Sequence, residues 1–200
     1  YREFFFENLF DSRKLRTVAY LALATLPAAL LGYFFNETIE TAFRGNVVII
    51  FMLTFVGILM IWAEHSGRFE GAKIKRWDQI RWWQALTIGL GQSVALIPGT
   101  SRSAISTLTA MFLGVDKFKA LEYSFLLGAP ILLGSFLYEA ASTPNSIEFL
   151  TQPSVIVAIL ISGVVGYMSI IVLRRFSKRN FLTFFGIYRI LLALLLILVI

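Results

Sequence analysis

Five long apolar runs, separated by short polar stretches, dominate the chain. They are Thr17–Phe35, Asn46–Ala63, Phe118–Glu139, Pro153–Leu173 and Phe181–Ile200. Each approaches or exceeds the roughly 20 residues that a helix needs to cross the apolar core of a bilayer. Thr17–Phe35 is free of charge and rich in Leu and Ala; Phe118–Glu139 carries Glu122 near one end and Glu139 at the other. The pattern predicts an all-α integral membrane fold with about five transmembrane helices, organised as a single polytopic membrane domain over residues 1–200.

One stretch does not fit that ruler. Trp82–Ile97 would make a helix of about 24 Å, and Ala104–Leu113 one of about 15 Å, at 1.5 Å per residue. Between them lies Pro98-Gly99-Thr100-Ser101-Arg102-Ser103. Neither half comfortably spans a core about 30 Å thick. The lengths therefore predict a re-entrant helix–loop–helix hairpin over about residues 82–114. Irregular backbone at membrane depth is tolerated where protein buries it or where it lines a wet cavity. A hairpin lying outside the membrane is the other reading, but Leu86, Ile88, Leu90, Val94, Leu96 and Ile97 are too apolar for water.

Composition narrows the class. The chain is 58% hydrophobic and 15% charged, with eighteen Lys+Arg against twelve Asp+Glu, a net charge of +6. The basic residues fall in short clusters between apolar runs, so no nucleic-acid surface is expected. Fifteen of the eighteen fall on one face if the hairpin returns to its own side. These are Arg2, Arg13, Lys14 and Arg16; Arg68, Lys73, Lys75, Arg76 and Arg81; Lys117 and Lys119; and Arg174, Arg175, Lys178 and Arg179. Arg44 stands alone on the opposite face, in the loop Asn36–Gly45. The positive-inside rule makes the crowded face cytoplasmic. There is no Cys, so thiolate chemistry and disulfides are excluded. His65, without a second ligand at metal spacing, is not expected to bind metal. Trp62, Trp77, Trp82 and Trp83 fit an interfacial aromatic belt. Gly128, Gly134, Gly163 and Gly166 are expected to let helices approach closely.

Two basic residues remain, Arg102 and Arg189, both at membrane depth. A charge there is costly and marks a functional site by default. Arg102 sits among Thr100, Ser101, Ser103, Ser106 and Thr107. Gly99 permits unusual backbone geometry, and Thr100 or Ser101 could cap the half-helix that follows. Helix N-terminal N–H groups, a guanidinium fork and hydroxyls together suit an oxyanion or phosphate. No Walker phosphate loop is present. The competing reading is an Arg neutralised by a membrane glutamate, with Ser and Thr as packing residues. Arg189, after Gly186-Ile187-Tyr188, is a second phosphate contact, a partner for a carboxylate or a snorkelling side chain. Gln92 and Ser93 line the cavity or join helices, and Glu122 reads as structural.

The run Gly91-Gln92-Ser93-Val94-Ala95-Leu96-Ile97-Pro98-Gly99-Thr100-Ser101-Arg102-Ser103 resembles the second signature of the undecaprenyl-diphosphate phosphatase family, the bacitracin-resistance type. Leu121–Pro130 resembles that family's Phe-Ser-Phe-Leu-Leu-x-x-Pro stretch, Phe185–Ile190 its Tyr-Arg stretch, and Thr25–Gly32 its early Pro-containing span. Ala104 departs from the usual Gly, and Ser106 replaces a Thr while keeping the hydroxyl. The family's first signature, Glu/Gln-x3-Glu with a following Ser-rich stretch and a His, has no counterpart here. The resemblance therefore implies either that the chain is the C-terminal three quarters of a longer protein, part of an inverted-repeat architecture, or that it is a degenerate member, inactive if that N-terminal part is truly absent.

What the resemblance implies functionally is a hydrolase in the bacterial inner membrane, with its site open to the outer face. It would remove the terminal phosphate of a polyprenyl diphosphate lipid and recycle the carrier for cell-wall synthesis. Arg102, Ser101 and Ser103 are then the expected catalytic residues. Gly99, Thr100, Ser106, Thr107, Gln92 and Arg189 are the expected substrate- and phosphate-binding residues. A divalent cation, Mg or Ca, is implied, with no ligand in this chain. A homodimer is compatible. The alternative is a transporter or flippase for an anionic polyprenyl-phosphate lipid, because broken helices and a midplane charge also serve transport.

Overall fold

A computed structural model describes residues 12–67, 69, 71–142, 146–176 and 180–199. The described residues are helical apart from short turns, the connection over residues 66–81 with its 3-10 turn at Trp77–Gln79, and one isolated bridge. In chain order the helices are α1 (Ser12–Phe43), α2 (Asn46–His65), α3 (Trp82–Ser93), α4 (Arg102–Phe112), α5 (Lys117–Ser142), α6 (Ser146–Leu150), α7 (Pro153–Phe176) and α8 (Phe181–Val199). Five are long and apolar enough to cross a membrane: Leu15–Phe35 within α1, Asn46–His65, Lys117–Ser142, Pro153–Val172 within α7, and Phe181–Val199. The protein is thus an all-α, multi-pass membrane protein, and these spans match the five apolar runs to within a few residues.

The boundaries differ in one instructive place. The loop expected over Asn36–Gly45 is mostly helix, because α1 runs on to Phe43. Nothing between Tyr33 and Phe43 breaks a helix, and Thr41 Oγ1 returns a hydrogen bond to the Glu37 carbonyl at 2.9 Å. Polar residues mark the end of the apolar span, not the end of the helix.

The described chain forms two compact units. Residues 132–181 form one, with the outer part of α5, α6 and α7. The apolar window of α7 has none of its residues buried, so lipid is the natural surround for Ile156, Leu160 and Val164. The other unit holds everything up to residue 131 together with residues 182 onward. Its core is built from small and branched side chains, among them Ala24, Val56, Ala85, Ile88, Ala110 and Leu127.

Glycines set the close crossings in that unit. A Cβ on Gly89 would collide with the Ala24 backbone, which places α3 hard against α1. Gly91 meets the Thr109 side chain on α4, and Gly57 on α2 meets Gly186 on α8. Small residues are how membrane helices gain van der Waals contact without a hydrophobic driving force. The glycines expected to do this from sequence behave otherwise. Gly134, Gly163 and Gly166 have nothing within 4 Å of a Cβ position, and Gly128 faces the Arg102 side chain. In a helix apolar all round, sequence alone does not say which face is packed.

Hydrogen bonds gather several chain segments at one end of this unit. Arg16 Nη2 donates to the Asp78 carbonyl at 2.7 Å. The Ile74 amide donates to the Gly114 carbonyl (3.1 Å), and the Asp116 amide to the Ile74 carbonyl (2.8 Å). Glu64 accepts from Lys117 Nζ and from the Leu182 amide. Arg16, Lys73, Lys75, Arg76, Arg81, Lys117 and Lys119 therefore share one end, as the charge pattern expects. Arg2, Arg68, Lys178 and Arg179 lie outside the described residues, as do the side chains of Arg13, Lys14, Arg174 and Arg175. Trp62 stacks on Phe112 at this end, and Lys119 lies over the Trp77 ring at 5.3 Å.

Candidate functional site

The hairpin is α3, a 3-10 turn over Val94–Leu96, a turn, and α4. Its two arms are antiparallel and tied at the open end. Gln84 Nε2 on the first turn of α3 donates to the Leu113 carbonyl just past α4, at 3.1 Å. The Ile74 bridge to Val115 closes the same end. The chain therefore leaves the hairpin where it entered.

At the closed end, Pro98 and Gly99 make the reversal. Gly99 has φ +85°, and a Cβ there would lie 2.6 Å from the Ile49 carbonyl oxygen of α2. Only glycine combines that backbone with that approach. The break is shorter than sequence suggested: Arg102 and Ser103 are the first two residues of α4, not part of the loop. Of the two possible caps the structure uses Ser101, whose Oγ accepts from the Ala104 amide at 3.3 Å. The Ile105 amide reaches the Ser101 carbonyl. The N–H groups of Arg102 and Ser103 find no partner among the described residues. Two free donors, the positive end of a helix and a capping hydroxyl thus face the turn. Ser103 Oγ lies 3.2 Å from Ser101 Oγ.

The Arg102 guanidinium lies against Gly128 of α5, where a Cβ would stand 2.6 Å from Nη2. Its Nη1 is buried and unpaired. Among the described residues it forms no ion pair. The carboxylates that could have neutralised it are engaged elsewhere: Glu122 with Lys119 at 2.7 Å, and Glu64 with Lys117. The reading of Arg102 as one half of an intramembrane salt bridge with either glutamate fails on that geometry. An uncompensated cation in a low-dielectric site costs several kcal/mol, by order of magnitude. An anion at the turn would offset that cost.

Ser106 points elsewhere than expected. Its Oγ bonds the Arg102 carbonyl at 2.8 Å and pairs with Ser124 Oγ of α5 at 2.6 Å. Ser124 also reaches the Ser103 carbonyl at 3.3 Å. These two hydroxyls clamp the first turn of α4 onto α5. Ser124 and Gly128 were not singled out from the residues as site groups, although both lie in the stretch resembling the Phe-Ser-Phe-Leu-Leu motif. Thr100 is buried at 5% exposure with an unpaired hydroxyl, and Thr107 Oγ1 is likewise unpaired. Gln92 is 1% exposed and neither end of its amide has a partner among the described residues. No hydrogen bond joins Gln92 or Thr107 to the turn. Arg189 is brought to the turn: its Nη2 donates to the Gly99 carbonyl at 2.5 Å and, weakly, to the Met52 carbonyl at 3.4 Å.

The donors around the turn are guanidinium, hydroxyl and backbone N–H. That set suits an anion and does not suit a divalent cation. Among the described residues no group of three or more His, Asp or Glu is placed to hold a metal.

Sequence comparison agrees with this chemistry. Residues 2–195 match the family described as Bacitracin resistance protein BacA. A protein of Chloroherpeton thalassium named undecaprenyl-diphosphatase is 34% identical over 200 residues, covering 95% of this chain and 69% of that relative. Undecaprenyl-diphosphatases of Rubrobacter xylanophilus and Desulforudis audaxviator are 38% and 34% identical. They cover 89% and 90% of this chain, and 65% and 66% of their own lengths. The chain spans about two thirds of the length of these curated relatives.

Proposed function

The chain belongs to the bacitracin-resistance protein BacA family, and from that membership we propose that it acts as a membrane hydrolase converting undecaprenyl diphosphate to undecaprenyl phosphate and inorganic phosphate. The anhydride bond to the terminal phosphorus breaks, water supplies the new oxygen, and the lipid phosphate returns to the carrier pool for cell-wall synthesis. The observation that carries this reading is the Arg102 guanidinium, unpaired among the described residues, at the capped N-terminus of α4.

In this mechanism the lipid tail stays among the helices and the diphosphate head enters at the turn. Arg102 binds it with a planar fork of donors. The Arg102 and Ser103 amides and the Ser101 and Ser103 hydroxyls orient its oxygens. Together they stabilise the charge that gathers as the P–O bond breaks. Thr100, with its buried free hydroxyl, is a further donor. A divalent cation, Mg or Ca, would draw its carboxylate ligands from outside the described residues.

The length of the hairpin supports a placement of the site within the proposal. The twelve residues of α3 rise about 18 Å, so the turn reaches past the middle of a core about 30 Å thick. With the basic end cytoplasmic by the positive-inside rule, the hairpin is re-entrant and its turn opens toward the outer face of the bacterial inner membrane.

The test is phosphate release from undecaprenyl diphosphate in detergent, with the full-length protein beside Arg102→Ala. Release by the parent, lost in a still-folded variant, is expected. A folded parent that releases no phosphate with Mg or Ca supplied would overturn the reading in favour of lipid transport or binding.

A further inference from the structure

Arg189 has the residue type of a phosphate ligand, but the end of its guanidinium nearest the turn is committed to backbone. The residue is 8% exposed, its Nη2 is spent on two backbone carbonyls, Gly99 at the hairpin turn and Met52 on α2, and its Nε is buried without a partner among the described residues. Within the hydrolytic reading above, we propose that Arg189 is a positioning residue and not a phosphate contact. Through it, α8 fixes the Gly99 carbonyl against α2 and so sets where the first turn of α4 presents Arg102 and its free amides.

Three features make α8 a stiff mount for that purpose. At its start, the Leu182 amide donates to Glu64 Oε2 at 3.0 Å, and the same carboxylate holds Lys117 of α5. That anchor is seven residues, about 10 Å of helix, from Arg189. Midway, Gly186 crosses Gly57 so closely that a Cβ on Gly186 would lie 2.7 Å from the Gly57 carbonyl oxygen. Any larger residue there must push α8 outward. At the far end, the hairpin turn presses on the same α2 helix through Gly99 and Ile49. The turn is thus held on one side by contact with α2 and on the other by the guanidinium. The only hydrogen bond between main-chain groups within the turn is Thr100 N–H to the Ile97 carbonyl at 3.1 Å. Without Arg189 the Gly99 carbonyl loses this donor, and the Gly99–Thr100 peptide is left with the Thr100 N–H bond.

Kinetics and amide exchange together test this. In detergent-solubilised, full-length Arg189→Gln, phosphate release should fall about 100-fold in kcat, the scale of a displacement near 1 Å at a reacting centre. Its KM for undecaprenyl diphosphate should stay within about threefold, because binding groups remain. Hydrogen exchange of a peptide covering residues 96–103, measured without substrate, should speed up about tenfold. Gly186→Ala, which leaves every side chain of the hairpin in place, should move kcat and exchange in the same directions. A KM that rises more than kcat falls, with exchange unchanged, would make Arg189 a direct phosphate contact and overturn the proposal. If Arg189→Gln does not fold, Gly186→Ala decides: a folded variant with parental kcat and parental exchange overturns it. A parent that releases no phosphate removes the hydrolytic reading alone, and the exchange comparison still supports or overturns the positioning of the turn.

Discussion

Arg102 and Arg189 both lie against the hairpin turn, yet Arg189 commits its Nη2 to two backbone carbonyls, whereas the Arg102 guanidinium makes no hydrogen bond among the described residues. Arg102 has a buried, unpaired Nη1 and is a turn of helix from its hydroxyl clamp. The expected consequence is that Arg102→Lys loses most phosphate release, by about 100-fold or more, since an ammonium does not reproduce a planar fork. Initial rates on detergent-solubilised protein check this, and near-parental turnover would remove Arg102 from the mechanism. Ser106 carries a different expectation. Its hydroxyl serves the Arg102 carbonyl and Ser124, so Ser106→Ala should lower stability by about 1 kcal/mol, read as a fall in Tm. KM should barely move if the hydroxyl touches no phosphate. The signature run, visible in the sequence, told which residues gather at the site. It could not divide them into ligand-facing and clamp groups, because that division depends on Ser124, eighteen residues further along and on another helix.

Helices here meet at glycines, and the close pairs tie a long helix to the hairpin, the two hairpin arms to each other, or one span to a second. Gly89 on α3 against the Ala24 backbone seats the first arm of the hairpin on α1. Gly89→Val should separate that pair and cost about 1–3 kcal/mol, as overpacking does, with a lower Tm in detergent; an unchanged Tm would mean the two helices already part. The Glu64 link among α2, α5 and α8 works by charge instead. Glu64→Gln keeps an acceptor for the Leu182 amide but removes the charge that Lys117 pairs with. The pair is partly buried, so a loss of about 2 kcal/mol is expected, and high salt should narrow the difference between parent and variant little. Neither link was foreseen from sequence. A glutamate near the end of an apolar run reads as the edge of a span, and its partners are 53 and 118 positions away.

At the scale of the whole molecule the governing feature is sidedness. The unit built from residues up to 131 and from 182 onward gathers seven described basic residues at one end, while Arg44 follows the far end of α1. The chain of 200 residues has no Cys, so within it a single introduced cysteine is the sole labelling site. Lys75→Cys and Arg44→Cys should label from opposite sides with a membrane-impermeant maleimide, Lys75→Cys only from the cytoplasmic side. Labelling of both from the same side would refute the odd number of crossings between them and the orientation together.

By itself the sequence determined the number of spans, their lengths, the break at Pro98–Gly99 and the basic end. Those are properties of local hydrophobicity and charge, which a bilayer reads segment by segment. Only the tertiary structure decided which glycines touch a neighbouring helix, that Ser101 is the cap, that Glu64 and Glu122 are taken by lysines, and that Arg189 spends its Nη2 on backbone. The physical reason is that a membrane helix apolar on every face carries no amphipathic signal for its partners. Its contacts are chosen by shape and by a few long-range hydrogen bonds, which exist only once the helices are packed.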